Sequence, residues 1–133
     1  QRPKQLYSDA EMQRRMDNFL MLRYSNEQEI QDAMNVEIKQ LAYDRRLLET
    51  TRESMQDSYR GQIRQAANKQ RAGQQVPEIT YVELNDLQMK IAENGQSLAG
   101  LELREQEIRG EFKKQLDRYR YLEEQWAEDS SDS

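Results

Sequence analysis

A single stripe of residues, spaced alternately three and four apart, runs through the second half of this chain. It reads Leu84, Leu87, Ile91, Asn94, Leu98, Leu101, Glu105, Ile108, Phe112, Gln115, Tyr119, Leu122 and Trp126. All but three are apolar, and the spacing holds without a slip over six heptads. A 3.5-residue repeat keeps one narrow stripe of a helix turned toward a partner helix. The pattern therefore predicts a coiled-coil seam. A matching stripe precedes it: Met34, Ile38, Leu41, Arg45, Leu48, Arg52, Met55, Tyr59, Gln62 and Ala66.

Composition agrees with thin, elongated helices. The 133 residues are 35% hydrophobic and 34% charged, and mean hydropathy is −1.17. A compact globule wants a larger apolar share, whereas each arm of a helical hairpin needs only its seam. Five Gly and two Pro in the whole chain disfavour an all-β fold and linker-like disorder. No stretch approaches the roughly 18 consecutive apolar residues of a membrane span. The reading is a soluble all-α chain with one helical domain over 1–127.

Local signals place the boundaries. After a basic lead-in (QRPKQLY), Ser8 and Glu11 have the spacing of a capping box, with Tyr7 and Met12 at the staple positions. An N-terminal helix over 9–24 follows. Ser25-Asn26-Glu27-Gln28 is a second box, marking a break near Tyr24, with a continuous helix as the alternative. Arm 1 is predicted over 26–72. Gly73 and Pro77 form a stop, and the box Thr80-Tyr81-Val82-Glu83 starts arm 2 over 81–127. Asn94-Gly95 is the weak point of arm 2, but the heptads run through it, so an uninterrupted helix is predicted. The tail 128–133 is acidic and small-residue, and is read as disordered.

Equal arms around a short connection (73–80) predict an antiparallel hairpin ~70 Å long at 1.5 Å per residue. Folded symmetrically, residues whose numbers total 153 face each other: Leu98 meets Met55, Phe112 meets Leu41, Tyr119 meets Met34, Leu87 meets Ala66 and Gln115 meets Ile38. In this register Glu105 lies opposite Leu48, between the layers of Arg45 and Arg52. An Arg45–Glu105–Arg52 triad would fix the register rather than add stability, since desolvation offsets most of the attraction. The other reading is that both arginines snorkel to water. Asn94 facing Tyr59 and Gln62 facing Ile91 are further polar layers.

Two surfaces are candidates for contact with a partner. The tip, residues 58–77, holds Arg60, Arg64, Lys69 and Arg71 with no acid, while 122–133 holds five acids and no base. A basic tip can touch an acidic protein surface, nucleic acid or anionic lipid; the plainer reading is a solvated helix end whose cations suit the macrodipole. The second surface is the face of the N-terminal helix carrying Met12, Met16, Phe19 and Leu20. Val36, Tyr43 and Leu47 on the back of arm 1, and Met89 and Leu103 on arm 2, lie outside the seam. They call for cover by helix 9–24 or by another chain.

The chemistry is bounded by what is missing. There is no His and no Cys, which removes disulfides, thiolate metal sites, a nucleophilic Cys and a His general base. A carboxylate dimetal site wants Glu-x-x-His, and Glu102, Glu105 and Glu107 read as a solvated face. No phosphate loop or nucleophile elbow is present. The chain is read as a non-enzyme with no cofactor and no small-molecule substrate. Net charge −5 and a pI near 4.9 disfavour nucleic acid. What remains is a structural or assembly protein working through protein–protein contacts, as a homo-oligomer or part of a larger assembly. In it the rigid arms set a distance and the tip docks. The alternatives are a chaperone-like binder of unfolded or secreted clients, and an amphipathic membrane-surface protein using 9–24, whose basic face Asp9, Glu11 and Asp17 dilute. The opening at Gln1 rather than Met leans the reading toward an exported mature chain, with the cytoplasm left open.

Overall fold

The computed structural model describes residues 8–131. Among them it contains three helices and no strand: α1 (Asp9–Arg23), α2 (Glu27–Arg71) and α3 (Glu78–Ser131). The fold is all-α, a helical hairpin of α2 and α3 with a shorter N-terminal helix. The Tyr7 staple and the basic lead-in lie outside the described residues, as do Asp132 and Ser133.

The helix ends follow from local chemistry. Ser8 is extended at the N-cap of α1 and its hydroxyl accepts from the Glu11 amide at 3.2 Å, satisfying one orphan donor of the first turn. The break near Tyr24 is present, but its cap is Asn26 rather than Ser25. Asn26 Oδ1 accepts from the Glu29 amide at 2.9 Å, and the Glu29 carboxylate accepts from the Ser25 amide at 3.1 Å. At the far end of α2, Gly73 adopts φ +73°. Its amide donates to Gln70 and that of Gln74 to Lys69, the two bonds of a Schellman motif that needs a left-handed residue.

Arm 2 starts earlier and ends later than the sequence predicts. Pro77, not Thr80, opens α3: its carbonyl accepts from the Thr80 amide at 3.0 Å. Proline's fixed φ suits a first turn, where its missing N–H costs nothing. The connection shrinks from 73–80 to 72–77. The helix also runs on to Ser131 through residues read as disordered, since no Pro or Gly stops it. Continuity through Asn94-Gly95 is as expected.

Contacts within the chain cluster in two units: residues 1–38 with 106–133, and residues 39–105. The first unit is a three-helix packing with Leu20, Tyr24, Ile30, Ile108, Phe112 and Tyr119 buried. Ile30, at 1% exposure, gains about 1.5–3 kcal/mol from leaving water. The second unit is a two-helix packing whose buried residues are Leu41, Leu84 and Asn94. The rest of its seam is half-buried.

The residues of both stripes, Trp126 excepted, are buried or half-buried, but their register is not the expected one. In the second unit Arg45 pairs with Glu102 and Tyr59 with Gln88, residues totalling 147 rather than 153. In the first, Glu27 pairs with Arg120, and Met34 shares a recess with Phe112 instead of meeting Tyr119. Met34 and Phe112 total 146, seven below 153, and the flanking polar pairs total 147, so the layers are displaced by about one heptad. Such a slip keeps every a and d residue in the seam, so periodicity alone is blind to it.

Candidate protein-contact site

In the first unit α1 folds back along Glu111–Arg118 of α3, and the two helices border an open groove of about 730 Å³. Met12, Met16, Phe19 and Leu20 line it from α1; Glu111, Lys114, Gln115 and Arg118 line it from α3. Leu20 is buried and anchors α1, whereas Met12, Met16 and Phe19 remain 47%, 63% and 58% exposed. The four residues singled out in the sequence thus share one surface with unequal roles: one packs inward, three face the groove.

What holds α1 in place is an ion pair invisible in the sequence. Arg118 Nε and Nη2 each donate to the Asp17 carboxylate at 2.8 Å, and Gln13 adds a third donor at 2.8 Å. The paired geometry of guanidinium and carboxylate fixes orientation as well as distance. Hydrogen bonding from Arg118 holds the Asp17 carboxyl below its ordinary pKa, against a smaller opposing effect of burial. The Arg118 guanidinium also lies 4.7 Å from the Tyr121 ring centre, a stabilising cation–π distance. Nothing local links Asp17 to a residue 101 positions on. Only the fold brings them together.

At the tip, in the second unit, the structure divides the four cations. Arg60, Arg64 and Arg71 share one surface with Tyr59, Ile63 and Ala67. Lys69 lines a different recess with Gln62, Ala66, Val76 and Glu83. Helical spacing explains the split, because positions 60, 64 and 71 fall on one stripe and 69 on the opposite face. Arg60 pairs with Asp57 at 3.4 Å and Arg71 donates to Asn68 at 2.9 Å. Both contacts are exposed and contribute little.

The triad is not assembled. Arg45 reaches Glu102 at 3.3 Å and Glu105 at 3.9 Å, but Arg52 Nη1 donates to the Ile91 carbonyl at 2.9 Å. That is about four turns of α3 away from Glu105, and the heptad displacement accounts for about half of it. Asn94, expected opposite Tyr59, donates to the Leu48 carbonyl at 3.0 Å.

Among the described residues no three metal-binding side chains gather to hold an ion, and no helix is long and apolar enough to cross a membrane. Val36, Tyr43, Leu47, Met89 and Leu103 are exposed at 52–69%. Compared with protein-family models, with curated proteins and with solved structures, the chain matches none.

Proposed function

We propose that this chain is a non-enzymatic structural or assembly component whose seam packs as an antiparallel coiled coil and which acts through protein–protein contacts. The observation that supports it is the apolar groove of the first unit, with Met12, Met16 and Phe19 all about half exposed. A contiguous apolar face of this kind marks an interaction surface more often than isolated exposed residues do. The Arg60, Arg64 and Arg71 face, with Ile63 between them, is a second docking surface, suited to an acidic protein. Native cross-linking followed by mass analysis tests the reading. Cross-links through α1 should disappear in Met16→Glu at unchanged helicity, and Arg60→Glu with Arg64→Glu should remove those through the tip. Undiminished cross-linking in both variants would defeat the proposal.

A chaperone-like reading draws on the methionines, which adapt to varied apolar surfaces. It predicts that the chain suppresses aggregation of an unfolded client at near-equimolar ratio, and fails if aggregation proceeds unchanged.

A further inference from the structure

The seam outruns the helix it packs on. In the first unit Glu27, the first residue of α2, pairs with Arg120 of α3, yet α3 continues through Ser131, another eleven residues or ~16 Å. Every seam residue from Leu84 to Leu122 is buried or half-buried, whereas Trp126 is 65% exposed. A tryptophan in register with a buried stripe, on a stretch of helix with little to pack against, is an interface residue lacking its other side.

We propose that the groove between α1 and α3 is filled by the tail of α3, Tyr121–Ser131, from a second copy of this chain, exchanged reciprocally about a two-fold axis. The inference rests on the assembly reading above and names its partner. Charge selects the occupant. The tail carries Glu123, Glu124, Glu128 and Asp129 and no base, whereas Arg15, Lys114 and Arg118 outnumber Asp17 and Glu111 along the groove, and Lys113 and Arg120 follow on the same stretch of α3. Basic and acidic stretches are adjacent along one helix, so antiparallel apposition of two copies of α3 brings each acidic tail onto the other's basic stretch. One two-fold contact satisfies both. Length agrees as well: Met12–Leu20 spans ~13 Å and the tail ~16 Å. Trp126 and Leu122 supply the apolar side for Met12, Met16 and Phe19, and an indole among methionines is a well-matched anchor.

The test is the mass of the full chain by light scattering over a concentration series, with acrylamide quenching of Trp126, the single tryptophan. The expected result is a dimer in which Trp126 is shielded. Trp126→Ala and Met16→Glu should each weaken it roughly tenfold or more at unchanged helicity. Glu124→Lys with Glu128→Lys should dissociate it, and adding Arg15→Glu with Lys114→Glu should restore it. A dimer indifferent to these substitutions overturns this interface and leaves the assembly reading standing. A monomer at every concentration, with no partner cross-linked through α1, overturns both. Shielding of Trp126 only on adding phosphatidylcholine–phosphatidylglycerol vesicles would assign the groove to a lipid surface and overturn the proposal.

Discussion

Arg52 of α2 donates from Nη1 to the backbone carbonyl of Ile91 on α3 at 2.9 Å, and Gly95, one turn further on, leaves the space it occupies. A Cβ at position 95 would stand 3.1 Å from that same nitrogen. The exchange is reciprocal: Asn94 of α3 donates to the Leu48 carbonyl of α2 at 3.0 Å. Each helix thus places a side chain on a carbonyl of the other, and the bonds are made in one register only.

Removing this latch should loosen register more than stability. Arg52→Ala with Asn94→Ala loses two bonds worth about 1–2 kcal/mol each, but also removes a buried Asn94 Oδ1 that has no hydrogen-bond partner. The chain has no cysteine, so spin labels can be placed cleanly at Glu53 and Glu93. The parent should give one distance, and the double variant a second population displaced along the helix by ~10 Å, one heptad. A single unchanged distance would show that the latch does not set the register.

The glycines of α3 should respond unequally to alanine. Gly100 has open space around it, so Gly100→Ala should stabilise by about 1 kcal/mol through helix propensity alone. Gly95→Ala gains the same propensity but must displace the Arg52 guanidinium by a few tenths of an ångström, and should stabilise less. Thermal unfolding of the two variants checks the order; equal gains would show that the close approach at Gly95 costs nothing.

Acid should release α1 first. The Asp17 carboxyl is held below its ordinary value of 3.8, chiefly by hydrogen bonding from Arg118. A depressed folded-state pKa contributes stability that is present above the unfolded value and lost as pH falls through the folded one. The loss therefore begins as pH drops below about 4. Asp17→Asn should remove about 1 kcal/mol at neutral pH, since the pair is partly exposed, and flatten the acid limb. Unfolding curves from pH 7 to pH 2 that coincide in shape for the two chains would refute it.

Core truncations should rank by burial rather than by seam position. Ile30→Ala and Ile108→Ala, at 1% and 2% exposure, should each cost about 2–5 kcal/mol. Leu98 and Leu101 are only half-buried, so their alanine variants should cost visibly less. Urea unfolding that finds the Leu98→Ala loss as large as that of Ile30→Ala would contradict the packing.

Much of the fold was legible because helices advertise themselves locally. The seam from Leu84 to Leu122 is apolar but for Asn94, Glu105 and Gln115 at 3.5-residue spacing, and is half-buried or better throughout. Ser8 and Gly73 signal their turns through side-chain chemistry and backbone freedom. The shared apolar face of the N-terminal helix was legible too, since Met12, Met16 and Phe19 recur on one side of it. Its closure was not: the Asp17–Arg118 pair joins residues with no sequence relation. The tip was half legible, as spacing alone places Lys69 away from Arg60, Arg64 and Arg71.

By itself the sequence determined the helices, the ends at Ser8 and Gly73 and the stripe each turns inward, because these depend on neighbours within a few turns. The tertiary structure alone decided which heptad of α2 meets which heptad of α3. A slip of seven residues leaves both stripes intact, so the choice falls to sparse, position-specific contacts: Pro77 starting α3 early, the room at Gly95 for Arg52, and Asn94 on the Leu48 carbonyl. It also decided that α1 lies against α3, through one ion pair and one buried leucine that no local pattern could connect.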